Sequence, residues 1–70
     1  MPHSVYKVIE IVGSSPDSWE KAAAAALEQA NKSLRDLRVA EVVSLDIHLD
    51  AGKIAAYRTK LKVSFKFEGD

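Results

Sequence analysis

The groups in this sequence that could do chemistry in a defined pattern are oxygen donors suited to a hard cation. Glu10 interrupts the apolar run Val8-Ile9-Glu10-Ile11-Val12, and Asp46 shares its phase with Ser44 and Asp50 in an alternating run. Turning Ile9 and Ile11 inward leaves Glu10 on an outer face, and Asp46 lies on the polar face of its own strand. Hard cations take oxygen ligands, six to eight of them for the larger divalent ions. Glu10 and Asp46 are therefore the candidate metal ligands. One chain supplies too few oxygens, so a symmetry axis or subunit contact would have to multiply them. The ordinary alternative stays open: Glu10 pairs with Lys60 or Lys62 on a neighbouring strand, and Asp46 is a solvated carboxylate.

Other chemistries find less support. No D-x-D-x-D-G loop occurs, which excludes an EF-hand. The absence of cysteine excludes disulfides and thiolate metal sites. There is no HExxH, no glycine-rich phosphate loop and no serine in a nucleophile elbow, so the expectation is a protein that is not an enzyme. Arg58, Lys60, Lys62 and Lys66 form a basic row without aromatics on its own face, which reads as a solvated or ion-paired surface and not a nucleic-acid track. His48 is a lone histidine, open to a ligand role or to none, and His3 is assigned no role. Trp19 has helical spacing to Ala23 and Leu27 and reads as core or inter-subunit packing.

The elements that must position these groups are few. Val5 to Val12 is rich in β-branched residues and reads as a strand closed by Gly13. Ser15 can cap a helix with Pro16 in its first position, and Asp17 and Glu20 put negative charge on the positive end of the dipole. Trp19, Ala23, Ala26, Leu27, Ala30 and Leu34 make one apolar stripe, five consecutive alanines start at Ala22, and Glu28 and Lys32 are spaced for an i,i+4 pair. From Val39 the chain reads as a long hairpin with a β-bulge near Val42–Val43 and its turn at Asp50-Ala51-Gly52-Lys53. In the last strand Tyr57, Thr59, Leu61, Val63, Phe65 and Phe67 share one face, and Arg58, Lys60, Lys62, Ser64 and Lys66 the other.

These elements predict an α+β fold over a single domain, residues 1–70. The protomer is β-α-β-β, with a three-stranded antiparallel twisted sheet wrapped around one helix. One helix covers only part of two strands this long, and a 70-residue chain without disulfides is marginal alone, so self-association is expected. Ten basic residues balance ten acidic ones, so no net field draws the chain to nucleic acid or an anionic membrane. The sequence has no secretory-type N-terminal pattern and no apolar run of membrane-spanning length, which points to the cytoplasm.

The run VYKVIEIVGSSPDSWEKA, the alanine-rich helix and RVAEVVSLDIHLDAGKIAAYRTKLKVSFKFE together resemble the dodecin family, over nearly the whole chain from about Val5 to Phe67. The resemblance implies a hollow homododecamer built from trimers. In typical members it also implies flavins held in pairs between subunits. The family's flavin-stacking tryptophan falls at Val39, which has no π face, and its ring-bonding glutamine falls at Arg58, which offers donors only and adds a charge. A third flavin-lining position falls at His48. With SxxSWE opening the helix and AGKI…YRxKLxVSFK closing the hairpin, the chain is most similar to the calcium dodecin branch, which implies calcium in place of flavin. The expectation is a binding and storage cage for calcium, with no nucleic-acid or membrane partner. Two alternatives remain: weak riboflavin or FMN binding and storage, and a ligand-free scaffold or interaction protein.

Overall fold

A computed structural model describes residues 3–67, so Met1, Pro2 and residues 68–70, the ends of the expected domain, lie outside the described residues. The element order is β1 (Tyr6–Ser15), α1 (Trp19–Ser33), β2 (Leu37–Asp50) and β3 (Lys53–Lys66). All pairing is antiparallel, and β3 lies in the middle of the sheet with β1 and β2 at its edges. The β-α-β-β order and the three-stranded sheet are as the alternation and helix signals predict.

The local boundaries differ in two places, for one reason. β1 does not stop at Gly13. It continues to Ser15, with Gly13 opposite Thr59 and Ser15 opposite Tyr57. Gly13 is needed there because the helix crosses directly above it: a Cβ would stand 2.0 Å from the Ala22 carbonyl oxygen. With Ser15 still in the ladder, the helix cap moves on to Ser18, which has an extended φ of −166° and accepts a hydrogen bond from the Lys21 N–H. Ser15 instead braces the intervening turn, its hydroxyl accepting from the Asp17 N–H at 3.0 Å. The expected Glu28–Lys32 pair is also absent from the ion pairs among the described residues. Lys21, in the helix's first turn, pairs with Asp17 just before the cap, at 3.5 Å on a well-exposed surface.

Alanine explains the closeness of helix and sheet. Ala22, Ala26 and Ala30 are buried at three successive turns of α1, and Ala26 packs with Leu61 and Val63 of β3. Ile9, Ile11, Ala23, Leu27 and Leu37 pack around that cluster. The helix rests on β1 and β3. Along β2 only Leu37 is better than exposed. The buried apolar set among the described residues is three alanines, one leucine and one valine, which is little hydrophobic stabilisation to set against the ordering cost of such a chain.

The hairpin turn is a two-residue loop with Ala51 at φ 51° and Gly52 at φ 76°, flanked by the Asp50–Lys53 pair. Positive φ at both central residues is the type I′ geometry that favours Asn-Gly. Ala51 therefore holds a conformation costing about 1 kcal/mol for a residue with a Cβ and no local hydrogen bond. Ala51→Asn should stabilise the protein by about 1 kcal/mol. Gly13→Ala should destabilise it by about 3 kcal/mol, because the helix must lift off the sheet. Thermal melts of both variants check the pair of expectations, which have opposite signs.

Candidate functional site

The three strands array the polar side chains on the face away from the helix. Because Thr59, Leu61 and Val63 are buried under α1, the alternate residues of β3 point outward. Reading across the sheet gives transverse rows: Val8, Ser64 and Val39; Glu10, Lys62 and Glu41; Val12, Lys60 and Ser44; Ser14, Arg58 and Asp46. Glu10 thus faces Lys62, one of the two partners expected of it, and Glu41 faces the same lysine from the other side. Neither approaches closely enough to be counted among the ion pairs, which for the described residues are Asp17–Lys21 and Asp46–Arg58.

Among the described residues the Asp46–Arg58 pair makes the shortest side-chain contacts on this face. Arg58 Nε donates to Asp46 Oδ1 and Arg58 Nη2 donates to Oδ2, each at 2.7 Å, with both side chains half exposed. This is the two-pronged arrangement that guanidinium and carboxylate planes favour. The hydrogen bonds from Arg58, which outweigh slight desolvation, hold the Asp46 carboxyl below the usual aspartate range, and the same contact raises Arg58.

The pairing depends on a bulge that the sequence pattern implied but did not advertise. The two-residue turn pairs an even residue with an odd one, Asp50 with Lys53, whereas the apolar faces require Ile47 opposite Tyr57 and Leu45 opposite Thr59. One extra residue must intervene. The register shifts between His48 and Leu49, where Ala55 is passed over on β3. Without that shift Asp46 would face Tyr57. A second shift, between Val42 and Ser44, is the bulge expected at Val42–Val43, and a third lies between Leu37 and Val39. Each bulge also adds local twist.

Behind Asp46, its backbone is held by the helix start. The Trp19 indole N–H donates to the Asp46 carbonyl at 3.0 Å, and the Thr59 hydroxyl donates to the Trp19 carbonyl at 2.9 Å. The Trp19 ring meets Tyr57 edge-on, with centroids 5.1 Å apart. Trp19 is therefore a packing residue, as its spacing indicates, but also a tether between α1 and an edge strand that the helix otherwise leaves uncovered. Its role required the sheet register to be known.

The candidate residues fall in separate places within one protomer. Glu10 and Asp46 lie on the two edge strands and four residues apart along β3, roughly 16 Å from one another. Val39, opposite Ser64, is six residues along β3 from Arg58, roughly 20 Å away. His48, opposite Ala56, is a diagonal neighbour of Arg58, about 7 Å off. Arg58, Asp46 and His48 thus come together, and Val39 and Glu10 do not join them. Among the described residues no three His, Cys, Asp or Glu side chains converge to hold a metal ion. The donor chemistry of the face fits a hard cation, and the donor number of one protomer falls short of it.

The sheet is antiparallel, with a long edge strand left bare and its polar groups split between distant patches. The family model described as Dodecin matches residues 5–68, and the chain belongs to that family. It is 59% identical over 64 residues to the calcium dodecin of Mycobacterium tuberculosis, spanning 90% of this chain and 89% of that one. The crystal structure of that calcium dodecin, described as calcium-chelating with a calcium-binding site, superposes with a TM-score of 0.83 at 54% identity over 96% of both chains. Dodecin from Streptomyces coelicolor superposes with a TM-score of 0.92 at 33% identity over the full length of both.

Acid should weaken this site. A carboxyl whose folded pKa is depressed contributes stability that is fully present above its unfolded value, about 4, and is lost as pH falls through the lower folded value. Arg58, being raised, keeps its share until strongly alkaline pH. Stability of the wild type should therefore fall as the pH drops below about 4 more steeply than that of Asp46→Asn, as measured by denaturant midpoints at each pH.

Proposed function

We propose that the protein is a calcium-binding dodecin: a closed homododecamer built from trimers, which holds calcium at contacts between protomers and has lost its flavin pocket. The observation that carries this is the makeup of the outer face. Where a flavin would need a stacking ring there is Val39, 62% exposed, and where it would need an amide there is Arg58, already engaged with Asp46. In their place the face offers oxygen donors, and the chain's strong identity to a protein named calcium dodecin supports calcium as the ion. Asp46 and Glu10 are the first carboxylates assigned to such a site. Their separation within one protomer requires that different protomers contribute them. When bound, calcium would supply a multivalent positive centre joining oxygen donors of neighbouring chains. Storage, rather than turnover, is the role this assigns, and no residue is given a catalytic part.

No helix among the described residues is long and apolar enough to cross a membrane. Self-association remains the one macromolecular contact in the proposal.

Calcium that binds the assembled state should raise the melting temperature and EDTA should lower it. Asp46→Asn, which keeps size but removes the charge, should abolish most of that dependence. A wild-type melting temperature indifferent to both calcium and chelator would remove the calcium assignment. In the same preparation riboflavin and FMN should keep their fluorescence at submicromolar concentration, and Val39→Trp with Arg58→Gln should restore part of the quenching.

A further inference from the structure

We infer that Arg58 is the chain's own competitor for the Asp46 carboxylate, an internal cation that sets how tightly a divalent ion can bind there. The inference rests on the calcium reading above and goes beyond it by naming the residue that tunes the site. Both Asp46 oxygens are taken, each by a different guanidinium nitrogen at 2.7 Å. A calcium ion approaching that carboxylate meets a fixed positive charge already in the plane where it would coordinate. It must displace the guanidinium or share the oxygens with it at close range, and like charges at a few ångströms repel even in water. Because both side chains are half exposed, the pair is not a deep lock: an exposed ion pair is weak enough to open. Arg58 therefore attenuates binding without preventing it.

The surroundings favour Arg58 in this role over the other cations of the face. Lys60 stands opposite Ser44 and Lys62 opposite Glu10 and Glu41, and neither makes an ion pair in the described structure. Lys60 adds to the positive field at Asp46 only from a distance. His48, diagonal to Arg58, is not bonded to the pair. On the other side, the Asp46 carbonyl receives the Trp19 indole N–H. A change in the Asp46 carboxylate is thereby one peptide unit from the single tryptophan of the chain, which provides a spectroscopic readout of the site independent of heat.

The test is a calcium titration of the assembled protein followed by calorimetry and by Trp19 emission, on wild type, Arg58→Gln, Arg58→Lys and Asp46→Asn. Removing the guanidinium should lower the half-saturating calcium concentration about tenfold. Arg58→Lys, which keeps the charge and loses the two-pronged grip, should fall between Arg58→Gln and wild type. It also serves where the neutral variant fails to assemble. Asp46→Asn should show no saturable response. If Arg58→Gln and Arg58→Lys both saturate as wild type does while Asp46→Asn has lost binding, calcium sits at Asp46 and the competition is overturned. If Asp46→Asn saturates normally, or if neither wild type nor Arg58→Gln binds, the underlying site assignment fails instead. Saturation of Arg58→Gln with none in wild type would also overturn it, because Arg58 would then prevent binding and not merely attenuate it.

Discussion

One helix cannot cover this hairpin. Fifteen helical residues reach about 22 Å, while two fourteen-residue strands run about 46 Å, and the described chain is 53 Å long and 20 Å wide. The helix sits where it can be closest to the sheet, over β1 and β3, at the point where Gly13 admits the Ala22 carbonyl. That choice leaves β2 as a bare edge with Val39, Leu45 and Leu49 at least half exposed. A long unpaired apolar edge is a liability that folded proteins cover. The protomer's own helix is used up, and further copies of the chain are the cover that the proposed assembly provides.

The same constraint shapes the polar face. A sheet with only one helix-covered side must make its other side compatible with water or with a neighbour. Rows of alternating charge, such as Glu10–Lys62–Glu41, suit both. Opposite charges directly across strands stabilise the register, and they leave carboxylates near an edge where a second protomer can reach them. The Asp46–Arg58 pair adds geometric definition to this pattern. Its anchor runs through the sheet to Trp19 and Thr59, so the helix start, the central strand and the outer carboxylate are joined in one network.

Much of this was legible in the residues. Period-two alternation in β3 assigned each side chain to its face without any tertiary information, and the bulge at Val42–Val43 followed from a phase conflict within one strand. What escaped were features set by two elements at once. The helix cap moved from Ser15 to Ser18 because β1 continues past Gly13, and nothing local distinguishes a glycine that ends a strand from one that admits a helix. The partner of Asp46 was hidden in the same way. A uniform hairpin from the Ala51–Gly52 turn pairs it with Tyr57, and only the parity conflict between turn and apolar faces demands the bulge that delivers Arg58. Val39, His48 and Arg58 were singled out by resemblance alone, yet the separation of Val39 from the other two within the protomer emerged only from the register.

The central claim is that this protomer is structurally incomplete until other copies cover β2. Sedimentation at micromolar concentration tests it directly. The account predicts one species of dodecamer mass, with no folded monomer in equilibrium at that concentration. A stable, folded monomer or dimer, sedimenting as such with its sheet intact, would contradict it.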